Sequence, residues 1–179
     1  MIYMMCGIPG SGKTTRAIDI KRSVEGSGEK CYFLSSDNIR DFFLDDVKDQ
    51  RYNRAVFSTM RYWLDSILYQ CKIADNQMMV DKDDPNLKVH IILDATFIKK
   101  EHRKQMIEVV KKHHMEKQIN CQFMDTSLSE CMQRNKARNR VVPEKVLCRM
   151  YADLEEPKSG EGFEVVITTK QDGTQLNLV

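Results

Sequence analysis

Eight consecutive residues, Gly7-Ile8-Pro9-Gly10-Ser11-Gly12-Lys13-Thr14, fit the pattern G-x-x-x-x-G-K-[ST]. The apolar run Ile2 to Cys6 precedes them, and a helical pattern begins at residue 13. A phosphate cradle needs that order. Glycines let the backbone curl so that successive N–H groups and a helix N-terminus converge on polyphosphate. Lys13 then reaches the β- and γ-phosphates, and Thr14 offers an oxygen to Mg²⁺. The expected ligand is ATP with Mg²⁺, bound by Gly7, Pro9, Gly10, Ser11, Gly12, Lys13, Thr14 and Thr15. A glycine-rich turn with an exposed lysine is the plain alternative, and strand, loop and helix in this order weigh against it.

Two acids are candidates to complete a phosphoryl-transfer site. Asp37 follows the apolar run Cys31 to Leu34, within Ser35-Ser36-Asp37-Asn38-Ile39-Arg40. The carboxyl end of a strand is where open α/β sheets bind ligands. There Asp37 would orient an acceptor hydroxyl and take its proton, and Arg40, one helical turn on, would hold an anionic part of the acceptor. The spacing is equally consistent with Ser36 or Asp37 merely capping the helix and Arg40 being a solvated charge. Asp94 ends the apolar run His90 to Leu93, the form of a strand whose acid orients Mg²⁺ or its water shell, with Thr96 and Arg103 as neighbours.

The chain carries 28 basic and 26 acidic residues, a net charge of +2, so any anion-binding surface must be local. Between Arg134 and Arg149 lie six basic side chains and a single acid, Glu144. Ser127 and Glu130 have capping-box spacing, which predicts Arg134 and Arg138 one turn apart on one helical face, as a lid over triphosphate requires. Arg138 is the candidate for the transferring phosphate. Arg140, Lys145 and Arg149 read as solvated charges, and Pro143 opens the next helix.

Positioning these residues requires strands near 2–6, 31–34, 89–94, 119–124 and 163–168, separated by helices near 13–25, 37–44, 51–73, 99–116, 127–139 and 143–153. The alternation predicts an α/β domain over residues 1–179, with a P-loop NTPase fold, a central parallel sheet flanked by helices, and a helical arginine-bearing lid over about 127–153. Residues 75–88 are polar, include Asp83-Asp84-Pro85-Asn86, and read as a surface loop. Six cysteines without a C-x-x-C pair read as reduced thiols. Without an 18-residue apolar stretch, no membrane association is expected and the location is cytoplasmic.

Thr169-Lys170-Gln171-Asp172 matches the [NT]-K-x-D element that reads guanine in GTPases. No D-x-x-G follows the third strand, where Asp94-Ala95-Thr96-Phe97 stands instead. Asp172-Gly173 is read as a hairpin turn before Gln175 to Val179. His113-His114 lacks companion ligands and suits a helix C-terminus better than a metal.

With these residues together, the chain resembles the polynucleotide 5′-hydroxyl kinase family, the P-loop kinase modules of phage and bacterial end-healing enzymes. The likeness rests on Gly7 to Thr15, Ser35 to Arg40, Leu93 to Thr96 with Arg103, Arg134-Asn135 to Arg138 with Val142-Pro143, Met150-Tyr151, and Glu161 to Glu164. The resemblance implies transfer of the ATP γ-phosphate to 5′-hydroxyl ends of DNA or RNA. It implies Asp37 as general base, Arg40 on the 3′-phosphate of the terminal nucleotide, and Arg134 and Arg138 over ATP. It admits a homo-oligomer, although no coiled coil or apolar stripe calls for one. Kinases of small metabolites, nucleosides or aminoacyl-tRNA share the same loop and a base near Asp37. A non-enzymatic ATP-binding regulatory module would need no such base.

Overall fold

Burial runs almost unbroken along the apolar strands Ile2–Cys6 and Val89–Asp94, as a sheet covered on both faces requires. In the computed structural model, which describes residues 1–44, 53–138 and 140–178, β1 (Ile2–Cys6) lies at the centre of a six-stranded sheet. The strand order is β2 (Lys30–Ser35), β5 (Val89–Asp94), β1, β6 (Ile119–Asp125), β7 (Val165–Lys170) and β8 (Gln175–Leu178). The first five are parallel, and β8 returns antiparallel on β7. Met4 and Met5, both inaccessible, face opposite sides.

On one side Met5 and Ile92 meet Ala17, Ile20 and Val24 of α1 (Lys13–Gly26). The other side is covered by α3 (Asn53–Tyr69), whose Val56, Met60, Leu64 and Leu68 recur every fourth residue, and by α4 (Lys100–Lys112) with Met106, Ile107 and Val110. Each such side chain contributes about 1.5–3 kcal/mol when fully buried. The doubly wound P-loop NTPase architecture expected from the sequence is present, extended by an antiparallel edge strand.

Two helices form the lid, α5 (Leu128–Lys136) and α6 (Glu144–Ala152). A small core of their own, Cys131 and Leu147, closes on Ile8 of the glycine loop and on Ile98. Here α2 spans Ser36–Leu44.

Several boundaries differ from expectation. The predicted helix over 51–73 ends at Tyr69; residues 51 and 52 lie outside the described residues. Cys71–Ile73 is instead β3, paired antiparallel with β4 (Met79–Asp81), so the expected loop over 75–88 contains a strand. Nothing in Tyr69-Gln70-Cys71 breaks a helix by type; the reason is tertiary, because burial of Cys71, Met79 and Val80 rewards the hairpin. Residues 82–88 do turn at the surface, with Leu87 N–H donating to the Asp84 carbonyl at 3.0 Å. The last parallel strand lies two residues later than predicted, and the Asp172-Gly173 turn forms, with Gly173 at φ +87°. Among the described residues no helix is long and apolar enough to cross a membrane.

Candidate functional site

The register of β1 against β5 sets Met5 beside Asp94, so both strands end at the glycine loop. Gly7 follows β1 and donates its N–H to the Thr96 carbonyl at 3.0 Å. Gly7 has φ +148°, which L side chains rarely adopt, and a Cβ there would also meet Ser11 Oγ at 2.5 Å. Gly12, at φ +98°, begins α1 in a left-handed conformation without a side-chain cap, leaving the first helical N–H groups open to an anion.

Lys13 is buried and folds back to donate Nζ to the Ile8 carbonyl at 3.3 Å. Burial holds its pKa below the ordinary lysine value, against the pull of Asp94 and with a further push from Arg138. Ser11 Oγ is buried with no partner. Thr14 donates its hydroxyl to Asp94 Oδ2 at 3.0 Å. Burial raises the Asp94 pKa, opposed by Lys13 and Thr14. These are the signs expected of a site that an ion-bearing ligand completes. Among the described residues no three metal-binding side chains cluster. Mg²⁺ in phosphate sites takes only one or two protein groups beside phosphate and water, so Thr14 with Asp94 suits it.

Two cavities meet at this loop. The smaller, 550 Å³, is lined by residues 10–16, Arg134 and Arg138, and closed by Thr169, Lys170 and Gln171. The larger, 1190 Å³, is lined by Asp37, Arg40, Asp94 and Arg140 among others. Lys13, Thr14 and Arg138 border both.

On α2, Ser35 Oγ accepts the Asp37 N–H at 3.2 Å, so the helix is capped by neither Ser36 nor Asp37. The Asp37 carboxylate faces the larger cavity, where its Oδ1 accepts from Arg40 Nη1 at 2.9 Å and from Arg140 Nη1 at 2.7 Å. Arg40 is only 6% exposed, also donates to the Ser36 carbonyl and to Asn53 Oδ1 at 2.7 Å, and leaves Nε without a partner. Its pKa is lowered chiefly by burial, with Asp37 opposing. The reading of Arg140 as a solvated charge is overturned by its 2.7 Å contact across 103 residues of sequence.

The lid departs from expectation in a second way. Ser127 Oγ accepts the Glu130 N–H, but the Glu130 carboxylate takes Arg134 Nε at 2.6 Å instead of closing a capping box. Helix α5 stops at Lys136, so Arg134 and Arg138 do not share a helical face. The cause is Asn135, 1% exposed, which donates to the Val142 carbonyl at 2.8 Å and accepts the Val142 N–H at 3.0 Å. That clamp draws residues 137, 138 and 140–142 out of the helix. Arg134 is left on the smaller cavity alone, and Arg138 between the two. Lys145 and Arg149 lie on exposed faces.

Arg103 does not neighbour Asp94. It is fully buried, pairs through Nε and Nη2 with Glu161 at 2.7 Å each, and donates Nη1 to the Phe97, Ile98 and Glu155 carbonyls. Thr96 lines the larger cavity. His113 follows α4 and pairs with Asp65 at 2.7 Å.

Sequence reasoning missed Asn135, Arg140 and the Thr169–Gln171 wall. Position at the carboxyl end of the last parallel strand could have marked Thr169, since that strand end opens on the same side as the glycine loop. Asp172 turns away to accept the Thr174 N–H at 2.9 Å, while Gln171 Oε1 accepts from the Ser127 hydroxyl and ties this wall to the lid.

Fold and site together define a P-loop kinase-like domain. The chain belongs to the AAA domain family, whose model matches residues 2–157. Its structure is similar to that of the Mycobacterium tuberculosis APS kinase CysC in complex with AMPPNP and APS, with 18% identity, TM-score 0.61, and coverage of 97% of this chain and 89% of that one. Chaetomium thermophilum Kti12 in complex with ADP-AlF3 aligns with 15% identity, TM-score 0.60 and coverage of 96% and 90%. A gluconokinase from Sinorhizobium meliloti 1021 aligns with 14% identity, TM-score 0.56 and coverage of 94% and 81%. At these identities the likeness is one of fold.

Proposed function

We propose that this chain is an ATP-dependent polynucleotide 5′-hydroxyl kinase. The observation that carries the reading is the pair of cavities joined at Lys13, Thr14 and Arg138, one bearing the glycine loop and the other the carboxylate of Asp37 with its arginines. ATP would occupy the smaller cavity, its phosphates on the loop N–H groups and its base toward Thr169–Gln171. Mg²⁺, held by Thr14 and Asp94, would neutralise charge on the β- and γ-phosphate oxygens.

The acceptor enters the larger cavity with its 5′-hydroxyl at Asp37. The hydroxyl oxygen forms a bond to the γ-phosphorus as the bond to the β,γ-bridging oxygen breaks. The hydroxyl proton passes to the Asp37 carboxylate, and ADP keeps the electron pair of the broken bond. Lys13 and Arg138 offset the negative charge that develops between the two cavities. Arg40 receives the phosphate on the 3′ side of the terminal nucleotide, and the size of the larger cavity, above the range usual for a small-molecule site, suits a nucleic acid end.

The test is transfer of γ-labelled phosphate from ATP to 5′-hydroxyl DNA and RNA oligonucleotides with Mg²⁺. Asp37→Ala is expected to lower kcat by about 10²- to 10⁴-fold with ATP affinity retained. Equal transfer by the variant removes Asp37 from the reaction. ATP binding without labelling of any end turns the acceptor toward a small metabolite, the class named for the APS kinase and gluconokinase neighbours.

A further inference from the structure

Asp37 does not stand alone in the larger cavity. Its Oδ1 accepts two guanidinium N–H groups from two separate elements, Arg40 on α2 and Arg140 in the segment between α5 and α6. Both lone pairs of that oxygen are thereby occupied. The two Nη1 nitrogens converge on one point, the geometry by which a pair of arginines grips a single anionic oxygen. Arg40 Nε, buried and without a partner, leaves this guanidinium with unused donor capacity.

Resting on the kinase reading above, we propose that Arg140 is a ligand of the acceptor's phosphate and that, before such a phosphate arrives, it latches the proton acceptor Asp37. A phosphate dianion carries more charge and more acceptor oxygens than a carboxylate. It draws Arg140 off Asp37 and shares it with Arg40. The carboxylate, held by Arg40 alone, is then free to turn toward the acceptor hydroxyl and take its proton. The Asn135 clamp on Val142 closes the short segment that carries both Arg138 and Arg140, so seating Arg140 on the acceptor also fixes Arg138, two residues earlier, between the cavities. Acceptor recognition, release of the base and placement of the arginine at the transferring phosphate thus become one event. The consequence is selectivity: a hydroxyl on a molecule without an adjacent phosphate leaves the latch shut.

The experiment compares kcat/KM for adenosine 3′-monophosphate and for adenosine, both with saturating ATP and Mg²⁺, in the unaltered protein and in Arg140→Ala. The unaltered protein should favour the phosphorylated acceptor strongly. In the variant the ratio should collapse from both ends, with a loss of about tenfold or more on adenosine 3′-monophosphate and a gain in turnover on adenosine as the carboxylate is released. A KM for ATP that stays constant assigns the change to the acceptor side. Loss on both acceptors by the same factor would mean that Arg140 only shapes the lid, and no change in either would remove it from the site; both results overturn the proposal while leaving the kinase reading in place. An unaltered protein that phosphorylates neither acceptor nor any oligonucleotide end brings down the kinase reading itself.

Discussion

Arg103 and Arg40 are both removed from water, at 0% and 6% exposure, and they have opposite surroundings. Every nitrogen of Arg103 is satisfied from within the protein, by the two Glu161 oxygens and three main-chain carbonyls. Arg40 shares its partner Asp37 with a second arginine, borders a large cavity and leaves Nε unmatched. Burial alone does not mark a functional cation. A saturated guanidinium is a rivet between α4 and the segment leading into β7, whereas an unsaturated one beside open volume keeps bonding capacity that the fold does not use.

The comparison breaks most sharply at Arg103. Arg103→Ala leaves Glu161 buried without its counter-charge, at an expected cost of about 3–5 kcal/mol and a fall in Tm on the order of 10 °C. The molecules still folded should keep their acceptor KM. Replacing Arg103 and Glu161 together by apolar residues should recover part of the loss, since no lone buried charge remains; denaturant unfolding measures both.

Arg40→Ala should show the reverse division, with acceptor kcat/KM down by about ten- to a hundredfold. Its Tm should fall by less than in Arg103→Ala. An Arg40 variant that lost stability like Arg103 and kept its acceptor kinetics would erase the distinction.

Asn135→Ala comes next, at about 1–3 kcal/mol, because it strips the Val142 main chain of two bonds. Its signature is faster hydrogen exchange across 137–142 with a lower kcat, as Arg138 and Arg140 lose their shared anchor. The smallest effect lies at the opposite end of the sheet. There Glu29 accepts from Lys88 at 2.8 Å and meets His90 at 2.8 Å. The Lys88 bond first, and His90 after it, hold the Glu29 pKa below its ordinary 4.5. A lowered acid stabilises the fold above 4.5, and that contribution is lost as pH falls through the lower folded value. Glu29→Gln should cost under about 1 kcal/mol at neutral pH and make the loss of stability below pH 4.5 shallower, with transfer kinetics unaltered.

The same contrast explains what the sequence made legible. The glycine loop, Asp37 and Asp94 could be read because their chemistry is local, a short motif or a residue ending an apolar run. The parallel sheet followed from the alternation of such runs with helical periods. Arg103 misled because its partner lies 58 residues away and nothing in its neighbours announces saturation. Arg140 was misjudged for the opposite reason, since a charge run looks solvated until the lid folds across to α2. The α5 boundary escaped because a buried asparagine that clamps a loop and one that sits in a helix are spelled alike. At Cys71, apolar residues that continue the α3 pattern were taken by a hairpin whose reward is burial and not propensity.

The two cavities share Lys13, Thr14 and Arg138 along their common border. In the proposed reaction a phosphoryl group makes one passage across that border, directly from one oxygen to the other. Donor and acceptor must then be bound together, so initial rates plotted against either substrate should give intersecting and not parallel lines. An ATP made chiral at its γ-phosphorus should deliver that centre inverted. Retention would require a stop on the protein, on a side chain such as the Asp37 carboxylate that lines the larger cavity.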